Sequence, residues 1–142
     1  MLLFVGGFSP IYTKTTELVT TNPPTVREGP LLPDYFYDFC AVLVQDKVFL
    51  IGGHVTENKL LVIDVKTSAM TYKSELNHGR YWHACAQISG SNGEDQVVVS
   101  GGYGASMSTE IYDIDNDIWQ EGKNVSPVLL IHAGFKFSGI NF

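Results

Sequence analysis

Few residues in this chain have the means to do chemistry, and they are scattered. Asp38, His83 and His132 could ligate a metal if the fold gathered them, Asp113, Asp115 and Asp117 alternate as cation ligands sometimes do, and Cys40 and Cys85 are the only thiols. His54 and His78 have no neighbouring ligand run and match no zinc-type spacing, so both are expected to face solvent. The stretch Asp115-Asn116-Asp117 has the composition of a tight hairpin turn, a simpler reading of the alternating aspartates than a calcium loop. No Ser-His-Asp order, phosphate-binding loop or paired-carboxylate spacing stands out. The expectation is no catalytic residue, no metal and no cofactor. Asn124-Val125-Ser126 fits an N-glycosylation sequon, with Pro127 after it.

What Asp38, His83 and His132 share is a place in a longer recurrence. An apolar run ends in a glycine pair three times, at Gly6-Gly7, Gly52-Gly53 and Gly101-Gly102, with spacings of 46 and 49 residues. One such pair marks any turn; three at near-equal intervals mark a repeat. Asp64 and Asp113 lie 49 residues apart, each closing an apolar run, and six residues after them come Met70 and Trp119. Thr16-Glu17-Leu18 matches Thr109-Glu110-Ile111, and Val26-Arg27-Glu28-Gly29 then falls on Trp119-Gln120-Glu121-Gly122 without a gap. Upstream of the glycine pairs, Asp38-Phe39-Cys40-Ala41 aligns with His83-Ala84-Cys85-Ala86, and His132-Ala133-Gly134 follows the same pattern. In that alignment the two cysteines are one repeat position seen twice, and a polar residue at the Asp38 position is a tolerated variation in preference to a ligand set.

Between these landmarks the segments are short, rich in Val, Ile, Tyr, Phe and Thr, and bounded by Gly, Asn, Asp and Pro, which predicts strands. The first complete unit has them at 37–44, 48–51, 60–64 and 69–73, the second at 81–88, 97–100, 110–114 and 118–120. One unit is one four-stranded antiparallel sheet with two apolar faces. Such a sheet cannot bury both faces alone, so neighbouring sheets must stack around an axis, the arrangement of a β-propeller.

The copy running Val97-Val98-Val99-Ser100-Gly101-Gly102-Tyr103, then Ser108-Thr109-Glu110-Ile111-Tyr112-Asp113, then Trp119, resembles the kelch repeat. The resemblance covers essentially the whole chain; the earlier copies depart from it, with Ile63 at the Tyr112 position and Val26 and Met70 at the Trp119 position. It implies an all-β fold of kelch-type propeller blades in which the first strand of each unit is innermost and the fourth lies at the rim. Cys40, Cys85 and Gly134 would then be near the axis. The expected division is a partial blade over 1–33, blades over 34–77 and 78–126, and the start of another over 127–142. About three blades cannot close a ring that needs at least four. The chain is therefore expected to be part of a larger propeller, the missing blades coming from the rest of a parent chain or from self-association. Gly6, Gly7, Gly52, Gly53, Gly101, Gly102, Tyr112, Asp113 and Trp119 are assigned structural roles: glycines for close approach, Asp113 to cap its turn, Trp119 to fill the wedge between sheets. Equivalent cysteines on adjacent inner strands would sit in different sheets beyond the ~7 Å Cα separation a disulfide tolerates, so no bond is expected.

Nine basic against fifteen acidic residues give a formal charge of −6, which disfavours nucleic acid and anionic lipid as partners. No apolar run approaches the ~20 residues of a membrane span, and Met1 to Val5 is too short for a signal-peptide core. Two thiols suit a reducing cytosol and the sequon suits secretion, so the compartment stays open. Binding remains, and propellers carry it on loops. Kelch proteins commonly engage partners with the loops between second and third strands and those leading into the first. Here those loops supply Tyr12, His54 and Tyr103, and Tyr35, Arg80 and Tyr81, with Arg80, Tyr81 and Tyr103 as foremost anchors. The resemblance implies a non-catalytic protein-interaction module, such as a substrate-recruiting adaptor. Its alternatives are a piece of a galactose-oxidase-like copper enzyme or of an actin-organising protein.

Overall fold

A computed structural model of the chain describes residues 2–5, 12–105 and 107–123; the expected strand start within 127–142, and with it His132 and Gly134, lies outside them, as do Gly6 and Gly7. Among the described residues every regular element is a strand: β1 (Leu2–Val5), β2 (Thr16–Thr21), β3 (Pro24–Glu28), β4 (Cys40–Val44), β5 (Lys47–Ile51), β6 (Leu60–Asp64), β7 (Met70–Tyr72), β8 (Ala84–Ser89), β9 (Asp95–Ser100), β10 (Thr109–Asp113) and β11 (Ile118–Glu121). They form three antiparallel sheets in chain order, β1-β2-β3, β4-β5-β6-β7 and β8-β9-β10-β11. These described strands pair only within their own unit. The first strands start later than the sequence pattern suggests, at Cys40 and Ala84, because Asp38 and Trp82 take positive φ angles of 57° and 54° that interrupt the extended chain.

Side-chain polarity explains the turns. Asp64 Oδ1 accepts from the backbone N–H groups of Lys66 and Thr67, both at 2.9 Å. Asp113 Oδ1 accepts in the same way from Asp115 and Asn116, at 3.1 and 3.0 Å. Each aspartate thus closes the hairpin that follows it.

The sheets bury each other's faces. Phe49, Ile51, Leu60 and Val62 of the second sheet pack on Val97, Val99 and Tyr112 of the third, with Leu76 between them. The opposite face of the second sheet, through Leu50, Leu61 and Ile63, packs with Leu32 and Phe36 of the segment that follows the first sheet. Alternation along each strand sends successive side chains to opposite neighbours, so a strand such as Leu60-Leu61-Val62-Ile63 is apolar throughout and buried at every position. Trp119 packs near Tyr112, ring centroids 4.9 Å apart, and its indole N–H donates to the Ser74 carbonyl at 2.9 Å, tying the third sheet to the exit of the second.

Contrary to the sequence reading, Cys40 and Cys85 form a disulfide, with Cα atoms 5.9 Å apart. The reason is a one-residue offset in the expected alignment. Cys40 pairs with Ile51, directly before Gly52, whereas Cys85 pairs with Val99, and Ala84 with Ser100, directly before Gly101. The true counterpart of Cys40 is Ala84, and that of Asp38 is Trp82, which shares its left-handed backbone. An offset of one residue turns a side chain to the other face of its sheet. Cys40 therefore looks toward the third sheet and Cys85 back toward the second, and the thiols meet where equivalent positions could not.

Candidate functional site

The loops at one end of the sheets gather aromatic rings. Gly53 and Gly102 hold φ at 118° and 88°, and an alanine Cβ would lie 2.8 Å from the Tyr37 carbonyl oxygen at the first and 2.6 Å from that of Tyr81 at the second. With no Cβ in the way, the next residue closes onto the same carbonyl: His54 N–H donates to Tyr37 O at 3.1 Å and Tyr103 N–H to Tyr81 O at 2.8 Å. His54 and Tyr103 thus hold one position in successive units, and Tyr37 and Tyr81 another.

These four side chains, with Tyr12, make a continuous ladder. Tyr12 stacks on Tyr37 with centroids 4.0 Å apart, and Tyr37 meets His54 edge-on at 5.4 Å while its hydroxyl pairs with His54 Nδ1 at 2.8 Å. His54 lies 4.7 Å from Tyr81, and Tyr81 lies 5.0 Å from Tyr103 and 5.1 Å from Trp82. The outer rungs face water: Tyr103 is 66% and Trp82 61% exposed. Burial, then hydrogen bonding with Tyr12, pushes the Tyr37 phenol up to about 12. Tyr81 is also raised, by burial first and then by Tyr103, Glu57 and Asp38. The Tyr37 and Tyr81 phenols therefore stay protonated, and uncharged, over the physiological range.

Of the six anticipated anchors, Tyr12, His54, Tyr81 and Tyr103 come together here. Tyr35 is exposed but apart, with the Lys14 ammonium 4.7 Å above its ring. Arg80 requires correction. It is fully buried, and its guanidinium donates to Glu110 Oε1 at 2.7 Å, to Ser108 Oγ at 2.8 Å and to the Gly101 and Ser108 carbonyls at 3.0 and 3.1 Å. Glu110 in turn accepts from the Asn77 and His78 N–H groups. Arg80 holds the loop beneath the ladder, with its side chain enclosed and not on the surface where an anchor was expected. The sequence reading omitted Tyr37 and Trp82, which it placed in the first strands at 37–44 and 81–88; their aromatic character at the starts of those strands was the available signal.

Asp38 and His83 are not brought together as ligands: Asp38 is exposed, His83 is 1% exposed, and among the described residues no cluster of histidine, cysteine and carboxylate side chains is arranged for a metal. Among the described residues neither ring nitrogen of His83 finds a hydrogen-bond partner. Burial, helped by the Arg80 charge, lowers its pKa to about 3; the Ile51 carbonyl pulls weakly the other way without reaching hydrogen-bond geometry. The folded state therefore accepts a proton less readily than the unfolded chain, and the stability that neutral His83 contributes is intact above pH ~6.5 and lost as pH falls toward 3. Urea unfolding of wild type and His83→Leu between pH 7 and 4 is expected to differ in slope by up to ~1.4 kcal/mol per pH unit, wild type falling faster.

Neither a protein-family model nor a curated protein matches the sequence.

Proposed function

We propose that the chain supplies consecutive blades of a kelch-like propeller and serves as a non-catalytic module that holds a protein partner on the aromatic ladder. The observation that carries this reading is the continuity of Tyr12, Tyr37, His54, Tyr81 and Tyr103 across loops of successive units, ending on two widely exposed rings. Rigid aromatics contribute large contact area at small entropic cost, which is why they dominate binding hot spots. The sheet stacking, the glycine pairs and the Tyr112-Asp113 and Trp119 positions support the blade assignment. So does the outward face of the third sheet, where Val98 and Ile111, half-buried, offer an adjoining blade an apolar surface. The two thiols are spent on each other, leaving neither for the tyrosine–cysteine group of a copper oxidase.

The test is affinity for a partner captured by the intact protein. Tyr81→Ala with Tyr103→Ala is expected to weaken binding at least 30-fold, about 2 kcal/mol. Ile118→Ala, exposed on β11 of the third sheet, leaves binding unchanged. Undiminished binding by the double tyrosine variant refutes the assigned face.

A further inference from the structure

Two carboxylates border the outer end of the ladder without a cation. Trp82 N–H donates to the Asp38 carbonyl at 2.9 Å, and Arg80 N–H to the Glu57 carbonyl at 3.0 Å, which fixes both acidic residues beside the segment that presents Tyr81 and Trp82. Both side chains are exposed, and neither has a hydrogen bond or ion pair among the described residues. Their field reaches the rings, since both act to raise the Tyr81 phenol. The nearby bases are engaged elsewhere: Arg80 with Glu110, Lys59 with Asp34 and His78 with Glu121.

Resting on the reading of the ladder as a docking face, we infer that its partner presents arginine, with a guanidinium laid against Tyr81, Trp82 or Tyr103 and hydrogen-bonded to Asp38 or Glu57. Exposed π faces attract cations, and a planar guanidinium can stack on a ring and donate in-plane to a carboxylate at once. Lysine can do only the first as a point charge. The net charge of −6 adds long-range attraction for such a segment.

The probe is a short glycine-serine peptide carrying three arginines, titrated calorimetrically into the intact protein, with a citrulline peptide of the same length as the neutral control. Binding of the arginine peptide is expected to fall about tenfold or more with citrulline, with Asp38→Asn plus Glu57→Gln, and with Trp82→Ala plus Tyr103→Ala. Asparagine tolerates the left-handed backbone at position 38, and matching melting curves establish that each variant is folded. An arginine peptide that does not bind, or that binds the carboxylate double variant equally well, overturns the inference. Selection from a random peptide library separates this failure from that of the docking face. Uncharged or acidic binders lost in Tyr81→Ala plus Tyr103→Ala overturn arginine while keeping the face. Binders indifferent to those tyrosines overturn both. Sedimentation showing the face covered by a second copy also overturns the inference.

Discussion

Arg80→Ala is expected to lower the melting temperature by about 10–20 °C. Removing the guanidinium leaves Glu110 buried with its charge unmatched, at a cost of roughly 3–5 kcal/mol, and frees the Gly101 and Ser108 carbonyls of their donor. The neighbouring unit shows what the same site looks like without charge. Phe36 precedes Tyr37 as Arg80 precedes Tyr81, and Leu61 occupies on β6 the place of Glu110 on β10; Phe36 and Leu61 are buried in one apolar cluster. Copying it, Arg80→Phe with Glu110→Leu should recover most of the lost stability, since a well-packed apolar pair replaces a buried ion pair at little cost. Recovery stays incomplete because the Asn77 and His78 N–H groups lose Glu110 as acceptor, whereas the counterpart of Asn77 is Pro33, which has no N–H. Thermal melts of the single and double variants measure both effects. Equal losses in the two would mean that charge burial is not the cause.

Reduction of the Cys40–Cys85 bond is expected to cost about 4 kcal/mol, lowering the melting temperature by about 10–15 °C. The cross-link closes a loop with 45 residues of sequence separation and joins the first strands of two sheets that no backbone ladder connects. Its loss widens the unfolded ensemble and leaves sheet-to-sheet cohesion to the Phe49–Tyr112 cluster and to hydrogen bonds that include Trp119–Ser74, Gln45–Asp95 and Trp82–Asp38. Melts with and without reductant, and of Cys40→Ser plus Cys85→Ser, should agree. Thiol titration of the unfolded, unreduced chain should find no free sulfhydryl.

The strands were legible because β-branched runs between turn-forming residues leave one reading, and the turns because Asp64 and Asp113 sit where a side-chain acceptor closes a hairpin. The disulfide was hidden by its own apparent evidence. Aligning Cys40 with Cys85 maximises identity, but the face a side chain presents depends on residue parity, and only the pairing of Ala84 with Ser100 reveals the shift. The longer β8–β9 connection absorbs the difference, and length in a loop carries no signal of register. Arg80 was misread for a related reason. A basic residue in a glycine-containing loop reads as exposed until Glu110, distant in sequence, is known to face it. Tyr12, His54, Tyr81 and Tyr103 were identifiable singly from their loops; that they touch in series follows from the close approach at Gly53 and Gly102.

Because each of the two four-stranded units contributes two rungs at fixed places, Tyr37 with His54 and then Tyr81 with Tyr103, the length of the track is set by how many such units adjoin. Duplicating a unit would extend the track by another pair without redesigning the framework beneath it. Changing the residue after one glycine pair would alter a single rung. A surface laid out in this way can be lengthened and re-lettered independently.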